Sequence, residues 1–64
     1  MNDVLKATRE QSGKTQAQVA REVGVAERVY QSYEYNKIRP RVDVAIRIAD
    51  ALGTTVEALF REEG

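Results

Sequence analysis

The sequence predicts an all-α fold of five short helices in one compact domain over residues 1–64, and three observations predict it. Apolar residues recur three and four positions apart rather than alternating, glycines fall where helices would end, and Pro40 is the single proline. At 64 residues the chain is close to the smallest size at which a core forms without disulfides, metal or a partner chain.

The elements follow in order. A first helix is expected from Asp3 to Ser12, opened by Asn2 or Asp3 and stopped by Gly13, with Val4, Leu5 and Thr8 on its inner face. Thr15-Gln16-Ala17-Gln18 matches a capping box and starts a second helix, which carries Val19, Ala20 and Val23 on one side and ends at Gly24. A third helix is expected from Glu27 to Tyr35, with Tyr30 and Tyr33 facing inward at i and i+3, their hydroxyls near the surface. Asn36 to Arg41 reads as a loop whose large apolar anchor is Ile38. Ala45, Ile48, Ala49 and Leu52, spaced i, i+3, i+4 and i+7, define a fourth helix that Gly53 ends. A last helix, capped by Thr54 or Thr55, places Val56, Leu59 and Phe60 on its apolar side.

Composition removes several function classes. Cysteine and histidine are both absent, so disulfides, the usual zinc spacings, thiol nucleophiles and the commonest general base are missing together. Serines and threonines therefore have no histidine to activate them, no glycine-rich phosphate loop is present, and neither an enzyme nor a cofactor is expected. No apolar run approaches a membrane span and the first residues lack the pattern of a signal peptide, which fits a cytoplasmic protein. Net charge is zero, yet it is unevenly spread. Residues 1–41 hold eight Lys/Arg against five Asp/Glu and residues 42–64 hold two against five, a balance of +3 against −3.

The helix, glycine turn and helix of residues 15–35, with a further helix on each side, is the informative constellation. Together with Arg9, Gly13-Lys14-Thr15-Gln16, Val19-Ala20, Gly24-Val25, Tyr33-Glu34, Pro40, Ile48-Ala49, Leu52-Gly53 and Leu59-Phe60, it resembles the Cro and phage-repressor (Xre-type) helix-turn-helix family over nearly the whole chain. The resemblance implies a repressor-like DNA-binding domain whose second motif helix, 27–35, lies in the major groove. By position, Ala26, Glu27, Arg28, Gln31 and Ser32 then match the outward residues through which such proteins touch DNA. The chemistry agrees: a guanidinium can bond guanine O6 and N7, a carboxylate can accept from cytosine N4, and an amide can bridge adenine N6 and N7. On an arbitrary helix this polar face would simply be solvated, and the resemblance is what reverses that expectation, most firmly for Arg28. Phosphate contacts are implied for Gln16, at the start of the second helix, and for Asn36, Lys37, Arg39 and Arg41 in the following loop. Arg9 and Glu34 are positions at which the family pairs an arginine in the first helix with a glutamate ending the reading helix, an ion pair of structural rather than DNA-contacting role.

Three departures from the family pattern bear on loop geometry. Ala26 and Arg41 stand where capping Ser or Thr are common, and Asn36 replaces a glycine, for which a left-handed backbone is expected. Family members usually bind as two-fold dimers on pseudo-palindromic operators, so a homodimer is expected, with Ile46, Val56, Leu59 and Phe60 as candidates for its surface, and with a place in the core alone at least as open to Leu59 and Phe60. The neutral net charge keeps one rival reading open, an antitoxin or adaptor whose main partner is a protein.

Overall fold

A computed structural model describes residues 2–60 and contains α1 (Asp3–Gln11), α2 (Gln16–Val23), α3 (Glu27–Glu34), α4 (Val42–Leu52) and α5 (Val56–Phe60), with no strand among the described residues. Arg61, Glu62 and Glu63, which contribute to the acidic balance of the C-terminal part, lie outside the described residues. Helix α2 packs on α3 and α4, α4 on α5, and α1 on α5 and α3, in a body of 31 × 21 × 20 Å.

Local chemistry explains several of the starts and stops. Asn2 rather than Asp3 caps α1, its Oδ1 accepting from the Leu5 N–H at 3.0 Å. The capping box of α2 is reciprocal: the Gln18 N–H donates to Thr15 Oγ1 at 3.1 Å and the Thr15 N–H donates to Gln18 Oε1 at 2.8 Å. Gly24, at φ 91°, ends α2 in a left-handed conformation that turns the chain at once into α3. Thr55 opens α5, accepting from the Ala58 N–H at 3.1 Å. Ser12 and Tyr35 are the C-caps of α1 and α3, within one residue of the ends the sequence suggests.

Leu5, Val19, Tyr30 and Ile48 are completely buried at the centre, joined by Ala20, Val23, Tyr33, Ala49, Leu52 and Leu59. Each large apolar side chain so buried contributes about 1.5–3 kcal/mol. Tyr30 and Tyr33 meet edge to face with ring centroids 6.3 Å apart. Two apolar placements differ from expectation. Val4 is 53% exposed, because the inner stripe of α1 runs through Leu5 and Arg9, four residues apart, and Val4 lies a full helical step to one side. Ile38 is 51% exposed and anchors nothing; the loop is held instead by its backbone, the Lys37 N–H donating to Ser32 O at 2.9 Å.

That bond depends on Asn36, which adopts φ 59° as the one non-glycine with positive φ among the described residues. Asn36→Ala should lower stability by about 1 kcal/mol and Asn36→Gly should be close to neutral. Thermal melts of the two variants check this, with equal melting points counting against backbone strain at this position.

Candidate nucleic-acid interface

Helices α2 and α3 form the helix-turn-helix, and α3 divides sharply into two faces. Tyr30, Tyr33 and Glu34 are buried, whereas Glu27 and Arg28 are exposed and Gln31 and Ser32 half-buried. The Arg28 guanidinium makes no hydrogen bond or ion pair with any described residue. Ser32 is turned back on its own helix, Oγ donating to Arg28 O at 3.0 Å. Ala26 offers no side-chain cap to α3, as its methyl group requires.

The end of α3 is locked from beneath. Arg9 Nε donates to Glu34 Oε2 at 2.6 Å and its Nη2 to Oε1 at 3.4 Å, while Nη1 donates to Lys14 O at 2.9 Å. The two side chains are 11% and 1% exposed, so this is a desolvated, bidentate pair. Hydrogen bonding to Glu34 holds the Arg9 guanidinium above its already high pKa, outweighing burial. Burial by itself would push the Glu34 carboxyl up, but donors from Arg9 and Gln16, the nearby Tyr30 hydroxyl and the guanidinium charge together hold it below the ordinary carboxylate range.

Tyr30 departs from expectation, since its hydroxyl is buried rather than near the surface. It lies close enough to feel the Glu34 charge, yet makes no hydrogen bond of good geometry with a described residue. Burial first, then Glu34, raises its pKa far above that of an ordinary phenol.

Gln16, at the first position of α2, was expected to offer its amide to a phosphate. In the structure that amide is occupied: Nε2 donates to Glu34 Oε1 at 3.0 Å and Oε1 accepts from Gln31 Nε2 at 3.2 Å. Gln31 Nε2 also donates to Glu27 Oε2 at 3.4 Å, so a continuous polar chain links Arg9, Glu34, Gln16, Gln31 and Glu27. The structure thus joins three groups of residues that the sequence treats separately. Asn36, Lys37, Arg39 and Arg41 are all exposed in the loop after α3. Arg41 Nε stands 3.8 Å from Asp43 Oδ1, a wholly solvated pairing of little energetic weight.

A family model described as helix-turn-helix matches residues 5–59, nearly all of the described chain. The chain belongs to the Xre-type helix-turn-helix family. Members of the Xre-type family are DNA-binding regulators and generally not enzymes, and the five-helix, strand-free architecture of residues 2–60 agrees with that assignment. Among curated proteins none matches the chain. Among the described residues of this Xre-type domain, no helix is long and apolar enough to cross a membrane.

Two residues of this Xre-type scaffold make long-range contacts that escape a reading of the sequence. Besides capping α1, Asn2 donates its backbone N–H to Glu34 O at 2.7 Å and its Nδ2 to Leu59 O at 2.8 Å, tying the ends of α3 and α5 together. Lys14 Nζ donates to Glu22 Oε1 and to Ala51 O, both at 2.8 Å, and so clamps the turn onto α2 and the end of α4. Both pairings join residues distant in sequence by single polar atoms, which leave no periodic signal. Leu59, for which the sequence leaves core and dimer surface both open, is 2% exposed and committed to the core, because the short α5 turns it onto α1 and α4; Val56 and Phe60 are half-buried and Ile46 is 47% exposed.

Proposed function

We propose that the domain is a sequence-specific, double-stranded DNA-binding transcriptional regulator of the cytoplasm that acts as a repressor. Helix α3 enters the major groove, with Glu27, Arg28, Gln31 and Ser32 as its reading residues. The observation that carries this reading is the asymmetry of α3. Its inner face is fixed by buried rings and a buried ion pair, while Arg28 on its outer face is exposed and uncommitted. A rigid helix with an unpaired guanidinium in its first turn is what bidentate recognition of guanine requires. Lys37, Arg39 and Arg41, with Asn36, supply exposed donors for phosphates beside it, and Gln16 stands at the start of α2 where a phosphate would meet the helix dipole.

One helix of this length reads only a few base pairs. The domain therefore works as a homodimer on a pseudo-palindromic operator, with half-sites roughly 34–36 Å apart. Support comes from an apolar strip in which Val42 is 76% and Ile46 47% exposed, next to a shallow groove lined by Pro40, Val42, Ala45, Val56 and Phe60.

Retention of duplexes from a random library, followed by sequencing, tests the function directly, and a two-fold symmetric motif is the expected result. If Lys37, Arg39 and Arg41 contact phosphates, replacing any one with alanine should weaken all duplexes alike and make the logarithmic salt slope shallower by about 0.9. Titrations at several salt concentrations check this, and an unchanged slope removes the residue from the interface. Absence of duplex binding at low salt would favour a protein partner, as for an antitoxin or adaptor.

A further inference from the structure

The polar chain running from the core to the outer face of α3 has a direction that its chemistry dictates. Glu34 is held ionised, and a carboxylate can only accept, so the end of the Gln16 amide that faces it at 3.0 Å must be the NH2 group. The Gln16 carbonyl is then what remains for Gln31, and Gln31 must in turn donate, at 3.2 Å. The other Gln31 N–H goes to the Glu27 carboxylate at 3.4 Å, again an obligate acceptor. Both amide hydrogens of Gln31 are thereby used. What Gln31 and Glu27 retain for a ligand is a carbonyl oxygen and a carboxylate.

We propose that the buried Arg9–Glu34 pair fixes, through Gln16, the polarity of the Gln31 amide, so that Glu27 and Gln31 form an acceptor-only edge that selects cytosine or adenine on one strand of one base pair in each half-site. The proposal rests on α3 being the reading helix and specifies what part of it reads. An unrestrained glutamine meets adenine with one donor and one acceptor, and can also turn its NH2 toward guanine O6 or thymine O4. Held in this polarity it accepts from cytosine N4 or adenine N6 and repels the keto oxygens. Gln16 is a positioning residue here, and Glu34, which reaches no solvent, sets base preference from inside the core.

Selection from random duplexes with the unaltered protein, Gln31→Ala and Gln16→Met tests this, alongside amide NMR spectra of the free proteins. Gln31→Ala identifies the base pair concerned, at which the unaltered protein should favour amino over keto bases by about tenfold. Gln16→Met, which keeps the length of the side chain but not its amide, should bring that ratio close to one while every other position keeps its preference. In the free protein the same substitution should shift the Gln31 side-chain amide resonances. A keto base preferred at the Gln31 position overturns the proposal, as do a Gln16→Met variant that weakens all duplexes equally with its ratio intact and Gln31 amide signals indifferent to that substitution. A motif retained with any of these results removes the relay alone, whereas the loss of all sequence preference in the unaltered protein removes the reading function and the specificity with it.

Discussion

Arg9→Ala should destabilise the domain by about 3–5 kcal/mol, a large part of the stability of a chain this size. The reason is the Glu34 side chain, at 1% exposure, which would keep a hydrogen bond from Gln16 but lose its counter-ion. Glu34→Ala should cost less, since the Arg9 side chain keeps some exposure and still donates to Lys14 O at 2.9 Å. In the double variant most of the loss should be shared, and chemical denaturation of all four proteins measures the coupling. Fully additive small losses would show that the pair contributes no coupling in solution.

The pH dependence follows in sign. The Glu34 carboxyl titrates below the ordinary value of 4.5 in the folded state, so its stabilisation is complete above that value and disappears as pH falls through the lower folded value. In Arg9→Ala the dominant remaining influence is burial, which raises the carboxyl instead. That variant should gain stability as pH falls toward 4.5, where the parent begins to lose it.

Arg28→Ala should have the second largest effect, on affinity rather than on folding. Its guanidinium is exposed and makes no hydrogen bond or ion pair with a described residue, so the melting point should hardly move. Binding to the preferred duplex should weaken by about 1–3 kcal/mol, with a much smaller loss on scrambled DNA and relaxed preference at one symmetric pair of positions. Measurements on both duplexes at several salt concentrations separate the outcomes. Equal losses on the two would make Arg28 a phosphate contact.

Several helix boundaries were legible because they are marked by a residue with one conformational purpose, such as the reciprocal Thr15 and Gln18 pair or the left-handed Gly24, whereas α3 and α4 start at Ala26 and Arg41 with no capping side chain. Side-chain placement was legible where spacing allowed one solution, as along α4, where Ala45, Ile48, Ala49 and Leu52 are all buried. It failed for Val4 and Ile38, because hydrophobicity says that a residue can be buried but not that a site exists to receive it. The exposed positions of α3 could be read by register alone. Their wiring could not: the Gln16 amide reaches Glu34 across 18 residues of sequence, and one hydrogen bond over such a distance adds nothing to composition or periodicity. Only the fold brings those atoms together.

The two-faced character of α3 bears on how such a domain can change. Its anchoring falls on Tyr30, Tyr33 and Glu34, none of which is exposed, whereas Glu27 and Arg28 carry almost none of the packed structure. Substitutions at those two outer positions are therefore nearly free of folding penalty, and a lineage or a laboratory could alter them without first acquiring compensating changes. Gln16 and Gln31 are the exceptions, being attached to the interior through Glu34. New preferences should arise readily at the first two residues of the helix and slowly at the fifth.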